Sequence, residues 1–380
     1  MLQKKRKILF INQSSGYLML DICNAFTDCC KYDLVALQTG EVNIRPTSPH
    51  PDLKVIKTKR YNKNTIVSRV LSWVVSFIHS LYLIWFKFPK AELFLVTNPP
   101  INLFLPLFCR NRYSILVFDI HPDTLIGQNV LKERSLIAKL WKKVNRKVMY
   151  KATNVYTISE AMKTVLTNYV SHEKIEVIDN WAHNEYYCPI EKRKNPFLCS
   201  LQIEDKFIVQ YSGNMGYTHD IDVLVDVAAI LRERQDIVFL LIGDGAKRRH
   251  ILEKIKKLGL KNCYLLPFQP AGMLPYSMGA ADVGIITLDS NSASLSIPSK
   301  TLNYMAIGAA LLCVTPKGSQ LEQLVQVNLS GEAFEKNQIQ EIGEYIISLA
   351  DDKDKANLLK HNALLSSEKY TPSNAYKYVK

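Results

Sequence analysis

The sequence predicts an α/β protein built from two doubly wound parallel sheets. Residues 207–314 alternate short apolar strands with helical stretches, a pattern typical of a parallel sheet with right-handed crossovers. A second set of short apolar strands, also separated by helical stretches, lies within residues 7–178. A chain of 380 residues is long enough for two domains of ordinary size. We therefore expect ligand sites at the carboxyl ends of the strands in two α/β domains.

The first strand, residues 7–12, is followed by the polar turn 13–16. A dinucleotide-binding domain requires a Gly-x-Gly-x-x-Gly turn here and an acidic residue at the end of the next strand. The turn contains only Gly16, and the next strand, residues 32–37, is followed by Gln38. These differences disfavour an NAD-dependent enzyme.

Residues 70–86 form a strongly apolar helical stretch. A transmembrane helix needs about 20 apolar residues, whereas this run is shorter and contains His79. We therefore favour a helix that packs on a domain or skims a membrane surface over one that spans it. A stripe of small side chains, one every fourth residue, suits packing against a sheet; it consists of Ser68, Ser72, Ser76 and Ser80.

A short strand, residues 114–118, ends in the sequence Asp119-Ile120-His121-Pro122-Asp123. Three titratable side chains at the carboxyl end of a strand favour a catalytic or acceptor-binding cluster. Two alternatives stay open. In one, Asp119 or Asp123 caps the following helix, and in the other the three side chains ligate a metal ion.

Residues 295–314 are predicted to form a loop, a short helix and a buried strand, with Ser299 as the N-cap and Gly308 just beyond the helix. Lys300 then lies beside a helix N-terminus, where backbone N–H groups, a hydroxyl and a positive charge meet. A diphosphate group requires such a combination. The alternative is an ordinary capped surface helix with a solvated Lys300.

Three further strand ends precede this segment in the second half of the chain. The first runs into a glycine turn containing Gly213, Asn214 and Gly216, the second contains Gly243, and the third is followed by Phe268, Gln269 and Pro270. In this order, and together with Pro298-Ser299-Lys300, these stretches resemble the donor half of the retaining glycosyltransferases of family 4. The resemblance is strongest to the branch that builds bacterial capsule and O-antigen polysaccharides.

The resemblance implies a GT-B fold, in which two Rossmann-like domains face each other across the cleft that holds the active site. It implies an acceptor-binding domain in residues 1–184, a linker in 185–200 and a sugar-nucleotide domain in 201–365. Residues 366–380 are expected to cross back onto the first domain.

The activity that this resemblance implies is transfer of a sugar, with retention, from a nucleotide donor to a lipid-linked saccharide. The expected donor is a UDP-sugar of hexosyl or N-acetylhexosaminyl type, and the expected acceptor carries a polyprenyl diphosphate. Two other function classes stay open. A sugar-nucleotide 2-epimerase of the same architecture is disfavoured by the apolar, basic first domain, and a nucleic-acid-binding protein is disfavoured because no such module is recognisable.

The resemblance also assigns roles to individual residues. His121, Asp119 and Lys300 are expected to be catalytic, with Lys300 stabilising the leaving diphosphate. Ser15, Gly16 and Asp123 are expected on the acceptor side. The expected donor-binding residues are Gly213, Asn214, Gly216, Gly243, Phe268, Gln269, Pro270, Ser299, Lys300, Thr301 and Asn303.

The chain departs from the family pattern at two places. Residues 217–220, Tyr-Thr-His-Asp, replace an arginine and a lysine that most members carry, and Leu295 and Asn303 replace two glutamates. Asn303 still suits a hydrogen bond to the ribose, but the loss of the first glutamate leaves the donor sugar unpredicted. Asp220-Ile221-Asp222 matches a metal-binding Asp-x-Asp pattern, yet acids are also favoured at the first turn of a helix. We expect a reaction without metal or other cofactor.

Positive charge is concentrated in the first half of the chain. Residues 1–190 carry 26 Lys and Arg against 14 Asp and Glu, whereas residues 191–380 carry 22 against 21. The densest segment is a predicted helix at residues 132–151, in which basic and apolar side chains alternate. We expect it to attach the protein peripherally to the anionic cytoplasmic face of the plasma membrane, with no nucleic-acid partner. The absence of a Cys-x-x-Cys pair and of a signal peptide agrees with a cytoplasmic protein.

Overall fold

The computed structural model describes residues 6–42, 46–62, 65–127, 130–216, 219–288 and 297–379. It contains two compact units, and each is an α/β fold around one main parallel sheet. Unit 1 comprises Met1–Asn180 and Pro372–Lys380, and unit 2 comprises Trp181–Thr371. The predicted fold class, two Rossmann-like domains with parallel sheets, is confirmed.

Unit 1 alternates strands and helices along most of its length. Its strands are β1 Lys7–Ile11, β2 Ser14–Ser15, β3 Leu34–Thr39, β4 Glu41–Val42, β5 Lys54–Lys57, β6 Glu92–Val96, β7 Tyr113–Val117, β8 Val155–Thr157 and β9 Ile175–Val177. Its α-helices are α1 Tyr17–Asp28, α2 Ile66–Tyr82, α3 Asp123–Gly127, α4 Leu136–Lys151 and α5 Glu160–Leu166. A π-helical segment, Leu83–Lys87, extends α2, and 3-10 helices occupy Pro100–Leu107, His172–Lys174 and Pro372–Tyr378.

The main sheet of unit 1 is parallel in the order β5-β3-β1-β6-β7-β8-β9. The order reverses direction between β1 and β6, so the crevice at their carboxyl ends is the expected ligand position. The C-terminal segment packs on this unit, where the buried Tyr378 ring lies edge-on to the Tyr156 ring with centroids 4.9 Å apart. This segment, Pro372–Tyr378, is a 3-10 helix.

Helix α2 packs on unit 1 through its serine stripe, as its spacing predicts. Ser72, Ser76 and Ser80 are buried, and the Ser72 and Ser76 carbonyls accept hydrogen bonds from Gln13 (2.9 Å) and Gln38 (3.3 Å) at the ends of β1 and β3. Within the described chain, one helical stretch, Val67–Lys87, is long and apolar enough to cross a membrane. Only 28% of an apolar 18-residue segment within this stretch is buried.

Unit 2 has the same alternation with one parallel sheet. Its strands are β10 Phe207–Asn214, β11 Ile237–Asp244, β12 Cys263–Leu266, β13 Val283–Thr287, β14 Ala310–Val314 and β15 Gly331–Phe334. Its α-helices are α6 Pro196–Leu201, α7 Asp222–Ile230, α8 Arg248–Leu258, α9 Leu274–Met278, α10 Ser299–Ala306, α11 Gln320–Val327, α12 Ile339–Asp351 and α13 Lys353–Ser367. The strand order is β12-β11-β10-β13-β14-β15, so its direction reverses between β10 and β13.

The segment predicted as a linker, residues 185–200, is instead folded into unit 2. Phe197 and Leu198 of α6 are buried under the sheet, and the Asn195 side chain caps that helix. Asp282, 8% exposed at its side chain, forms ion pairs with Lys192 and with Lys360 of α13. The unit boundaries lie at residues 180/181 and 371/372, not at the predicted 184 and 366. Residues 185–200 belong to unit 2 because this polar, proline-containing stretch makes buried contacts there.

Candidate functional site

Two glycines bring β10 and β11 unusually close at the carboxyl edge of the unit 2 sheet. Gly213 and Gly243 lie opposite each other in register, with φ values of +151° and +148°. A Cβ on Gly243 would lie 1.9 Å from the Gly213 carbonyl oxygen, and a Cβ on Gly213 would lie 3.1 Å from Lys300 Nζ. Both positions therefore require glycine, and Gly213 leaves room for the lysine.

Lys300 of α10 carries a buried ammonium group without a hydrogen-bond partner among the described residues. The ammonium lies over the Tyr211 ring, 4.1 Å from its centroid. The Tyr211 ring is fully buried, and its hydroxyl donates to the Asn214 carbonyl at 2.7 Å. Burial lowers the pKa of Lys300 to about 7. A buried cation that faces an aromatic ring, and that pairs with no carboxylate among the described residues, is available to an incoming anion.

The start of α10 differs from the prediction in one respect. Pro298, in extended conformation, is the N-cap, and the exposed Ser299 is the first helical residue, with no capping hydrogen bond. The prediction that Ser299 caps the helix is therefore wrong, because the Pro298 carbonyl accepts the first bond, from Thr301 N at 2.9 Å. Thr301 Oγ1 and Asn303 Oδ1 are buried and unpartnered within the same described part of the chain.

The glycine turn continues through Asn214 and Gly216, and the Met215 backbone between them donates to the Asp244 carbonyl at 2.7 Å and accepts from Lys247 N at 2.9 Å in the loop after β11. Helix α7 begins at Asp222. Lys247, which follows β11, donates to the His219 carbonyl at 2.9 Å and pairs with Asp222 at 3.3 Å. This cation stands near the position where the family's arginine and lysine are replaced.

The other expected donor residues are separated from Lys300 in the sheet. Phe268, Gln269 and Pro270 follow the edge strand β12, two strands away from β10. Phe268 is 57% exposed, and the Gln269 amide donates to the Pro267 carbonyl at 2.9 Å. The role of these three residues in binding the base therefore stays a prediction. Leu295, Tyr217 and Thr218 lie outside the described residues.

In unit 1, Asp119 and His121 lie on the turn that follows β7. The Asp119 and Phe118 amides donate to Thr97 Oγ1 at the end of the neighbouring β6. His121 is half-buried, and its Nδ1 has no hydrogen-bond partner in the part of unit 1 that is described. Burial lowers the pKa of His121 below its ordinary value, although Asp119 and Asp123 oppose that shift. A neutral imidazole with an available nitrogen is thereby held next to an exposed carboxylate.

The other residues expected on the acceptor side are held by local contacts. Asp123 pairs with Lys142 at 3.2 Å and accepts a hydrogen bond from the Tyr169 hydroxyl, so its carboxylate fixes the turn. Ser15 is buried and accepts from the Asn12 amide at 3.1 Å. Gly16 precedes α1, and a Cβ there would meet nothing within 4 Å. The structure thus gives Ser15 and Asp123 structural partners and leaves space at Gly16.

The described residues contain no group of three or more His, Cys, Asp or Glu side chains arranged to hold a metal ion. In the Asp-x-Asp pattern, Asp222 lies in the first turn of α7 and pairs with Lys247 and with His250 at 2.9 Å. That pairing agrees with a helix-terminal role for Asp222. Independence from metal remains a prediction.

Four side chains near these groups were not assigned to the site from the sequence. They are Tyr211 and Lys247 in unit 2 and Trp141 and Asn145 in unit 1. The spacing of Trp141 and Asn145, four residues apart on one helix, shows that they share a face, but not what that face contacts. Tyr211 lies two residues before Gly213 in a buried strand, where an aromatic residue is ordinary.

Comparison with known proteins identifies the type of domain. Residues 199–365 match the family model Glycosyl transferases group 1. Probable glycosyltransferase WbjE of Pseudomonas aeruginosa is 27% identical over 293 residues, which cover 73% of this chain and 71% of that protein. WcaI of Escherichia coli K12, whose name refers to colanic acid biosynthesis, is 24% identical over 220 residues, 57% of this chain and 54% of its own.

The fold is also that of solved glycosyltransferases. The crystal structure of Anabaena Alr3699/HepE in complex with UDP and glucose superposes with a TM-score of 0.73 at 15% identity. The match covers 98% of each chain. At this identity the likeness shows the GT-B fold alone, and the match to the group 1 glycosyltransferase model covers residues 199–365.

The state of Lys300 predicts that anion binding is linked to proton uptake. With a pKa of about 7, Lys300 is mostly neutral at pH 8, and a bound diphosphate raises that pKa by adding negative charge. Binding of a nucleoside diphosphate should therefore take up close to one proton at pH 8 and few at pH 6. Calorimetry in buffers of different ionisation enthalpy measures this uptake.

Two variants control for the protonation of the ligand itself. Lys300→Met should abolish the protein's share of the uptake, whereas Lys254→Met should retain it, since Lys254 is paired with Asp226 at 2.7 Å. Equal uptake in wild type and Lys300→Met would contradict the assignment.

Proposed function

We propose that the chain transfers a sugar from a nucleoside-diphosphate donor to a lipid-linked saccharide, since residues 199–365 match the group 1 glycosyltransferase model. The donor is a UDP-sugar, the anomeric configuration is retained, and no metal takes part. The product extends a surface polysaccharide of the capsule or O-antigen type. The observation that carries this proposal is the buried, unpartnered ammonium of Lys300 at the carboxyl edge of the unit 2 sheet.

The chemistry of Lys300 suits departure of a diphosphate. Negative charge develops on the leaving group as the glycosidic bond to phosphate breaks, and a preorganised cation stabilises it most where water is excluded. The N–H groups of Ser299 and Lys300 precede the first hydrogen bond of α10 and add donors of the same polarity. In this proposal, Lys300, the close approach allowed by Gly213 and Gly243, and the N-terminus of α10 supply the charge stabilisation that a divalent ion supplies in other enzymes.

The identity of the donor and of the pathway is supported by the relatives. HepE binds UDP and glucose, and the name of WcaI refers to colanic acid biosynthesis. Asn303, with its unpartnered Oδ1, is the residue we assign to the ribose hydroxyls. His121 and Asp119 are assigned to the sugar and acceptor, because they combine an available imidazole nitrogen with an exposed carboxylate.

Two surfaces of unit 1 support delivery of the acceptor from a membrane. On α4, the exposed Leu136 and Leu140 share a face with Lys143 and Lys147, a pattern that fits anionic lipid. On α2 and its extension, one exposed apolar stripe lies opposite the buried serines and includes Val67, Leu71, Val74, Ile78, Tyr82 and Trp85. Because the serine face is bonded to β1 and β3, this helix suits contact along the membrane surface better than a span.

The decisive test of function is product analysis with a panel of sugar nucleotides and polyprenyl-diphosphate saccharides. We expect a glycosylated lipid product, and Lys300→Ala should lower kcat by about 10²–10³, as loss of one such donor does. Lys254→Ala is the matched control and should keep its rate. Epimerised nucleotide sugar without transfer would replace the proposed activity with that of a 2-epimerase.

Substitution of the unit 1 turn should separate transfer from donor binding. His121→Ala and Asp119→Ala should each reduce the rate of transfer far more than the affinity for UDP, because the turn acts on the sugar and acceptor. Kinetics and calorimetry with UDP measure the two effects. A parallel loss of UDP affinity would assign the turn to the nucleotide, and a chelator-sensitive rate restored by divalent metal would favour a metal site instead.

Membrane attachment is tested by flotation with liposomes. The wild-type protein should float with anionic vesicles at low salt, and replacing Lys139, Lys143 and Lys147 by Gln should release it. Each basic residue contributes about 1 kcal/mol near such a surface. Replacing the exposed Lys256 and Lys257 of unit 2 should have little effect. Failure of wild type to float would exclude an electrostatic anchor, and salt-resistant flotation would indicate apolar insertion by α2.

A further inference from the structure

Helix α4 contacts the turn that carries His121 at three points. The Trp141 indole stacks on the His121 imidazole, with ring centroids 6.2 Å apart and planes 18° from parallel. One turn later, the buried Asn145 donates from Nδ2 to the His121 carbonyl oxygen at 2.6 Å. Lys142 adds the ion pair to Asp123. The position of the imidazole is thus defined by side chains of a neighbouring helix.

The Trp141 ring is itself held in place. Phe104, in the 3-10 helix after β6, packs against it edge-on with centroids 5.9 Å apart. Trp141 Nε1 is buried and has no hydrogen-bond partner in the described part of the chain. The indole therefore presents an apolar face to His121, and it removes water from one side of the imidazole ring.

We propose that Trp141 and Asn145 are positioning residues for His121, fixing respectively the plane of its ring and the path of its backbone. The proposal rests on the assignment of His121 to the reaction. Both side chains act through His121 and not on the substrate. Trp141 shields the imidazole, and Asn145 keeps the turn from moving away from α4.

The charged and titratable groups around His121 come from three elements. Asp119 and Asp123 belong to its own turn, Lys142 belongs to α4, and the Tyr169 hydroxyl after α5 contacts Asp123. The Arg146 guanidinium lies over the Tyr169 ring at 5.8 Å. Substitution of Trp141 removes none of these charges. A change in His121 titration in such a variant therefore reports on solvent exposure.

The test follows His121 by NMR in protein with isotope-labelled histidine, with its signal assigned by its loss in His121→Gln. Burial holds the pKa of His121 below its ordinary value, so Trp141→Leu should raise it by admitting water. Trp141→Phe, which keeps an aromatic ring, should shift it less. Trp73→Leu removes another half-buried indole of unit 1, stacked on Tyr61 at 6.3 Å, and should leave the His121 titration unchanged.

Kinetics supply the second measurement. Trp141→Leu and Asn145→Ala should lower kcat by about 10²-fold, as expected when a reacting group is displaced by about 1 Å. The KM for the donor should stay nearly constant, and Trp141→Phe should recover part of the rate. If Asn145→Ala does not fold, the comparison of Trp141→Leu with Trp141→Phe tests the proposal on its own.

An unchanged His121 titration in Trp141→Leu, or equal loss of rate in Trp141→Leu and Trp141→Phe, would overturn the proposal. The titration uses the free protein, without donor or acceptor. Absence of sugar transfer by the wild-type protein would therefore refute the proposed function, while the titration would still test whether Trp141 shields His121.

Discussion

Unit 2 is arranged around a positive charge that has been taken out of water. An ammonium group in an apolar interior loses hydration that a single aromatic face does not fully replace. Lys300 occupies that position because Gly213 has no side chain, because Gly243 lets β11 lie close alongside, and because α10 begins next to β13. A fold that holds a cation in this state retains attraction for an anion, which is why the carboxyl edge of this sheet is the natural place for a diphosphate.

Unit 1 meets a different constraint at the same edge of its sheet. Polar backbone and side-chain groups at the carboxyl ends of its strands need hydrogen-bond partners, because no further strand pairs with them. Gln13 and Gln38 do so by donating to carbonyls on the serine face of α2, and Thr97 Oγ1 does so by accepting from the turn after β7. The backbone of the turn that carries His121 is consequently held by hydrogen bonds to Thr97. Among the described residues, His121 Nδ1 is a group of this turn that has no hydrogen-bond partner.

The alternation of strands and helices was predictable because it follows from the period of apolar residues. The position of Lys300 beside the start of α10 was also predictable, since the place of a cation near a helix start is a local property. The N-cap was mispredicted because Pro298 and Ser299 both suit a helix start, and only the backbone decides between them. The linker was mispredicted because the partner of Lys192 is Asp282, about ninety residues away along the chain.

Contacts between distant segments explain the remaining omissions. Tyr211 and Trp141 are ordinary apolar residues by local pattern, and their importance depends on which side chain lies across from them. The ion pairs of Asp123 and Asp222 were not predicted for the same reason, since each pair joins elements that are separate in the sequence. The candidate groups at strand ends were therefore easier to locate from the sequence than the side chains that hold them.

Helix α4 has two faces, with Trp141 and Asn145 turned toward the interior of unit 1 and Leu136 and Leu140 turned outward. Each residue of an α-helix advances about 100° around the axis. One inserted or deleted residue between the two leucines and Trp141 would therefore turn one face away from its surroundings while leaving the composition almost unchanged. Related chains should accordingly keep the length and rotational phase of this helix, while its outward residues vary only as far as an apolar and basic face is retained.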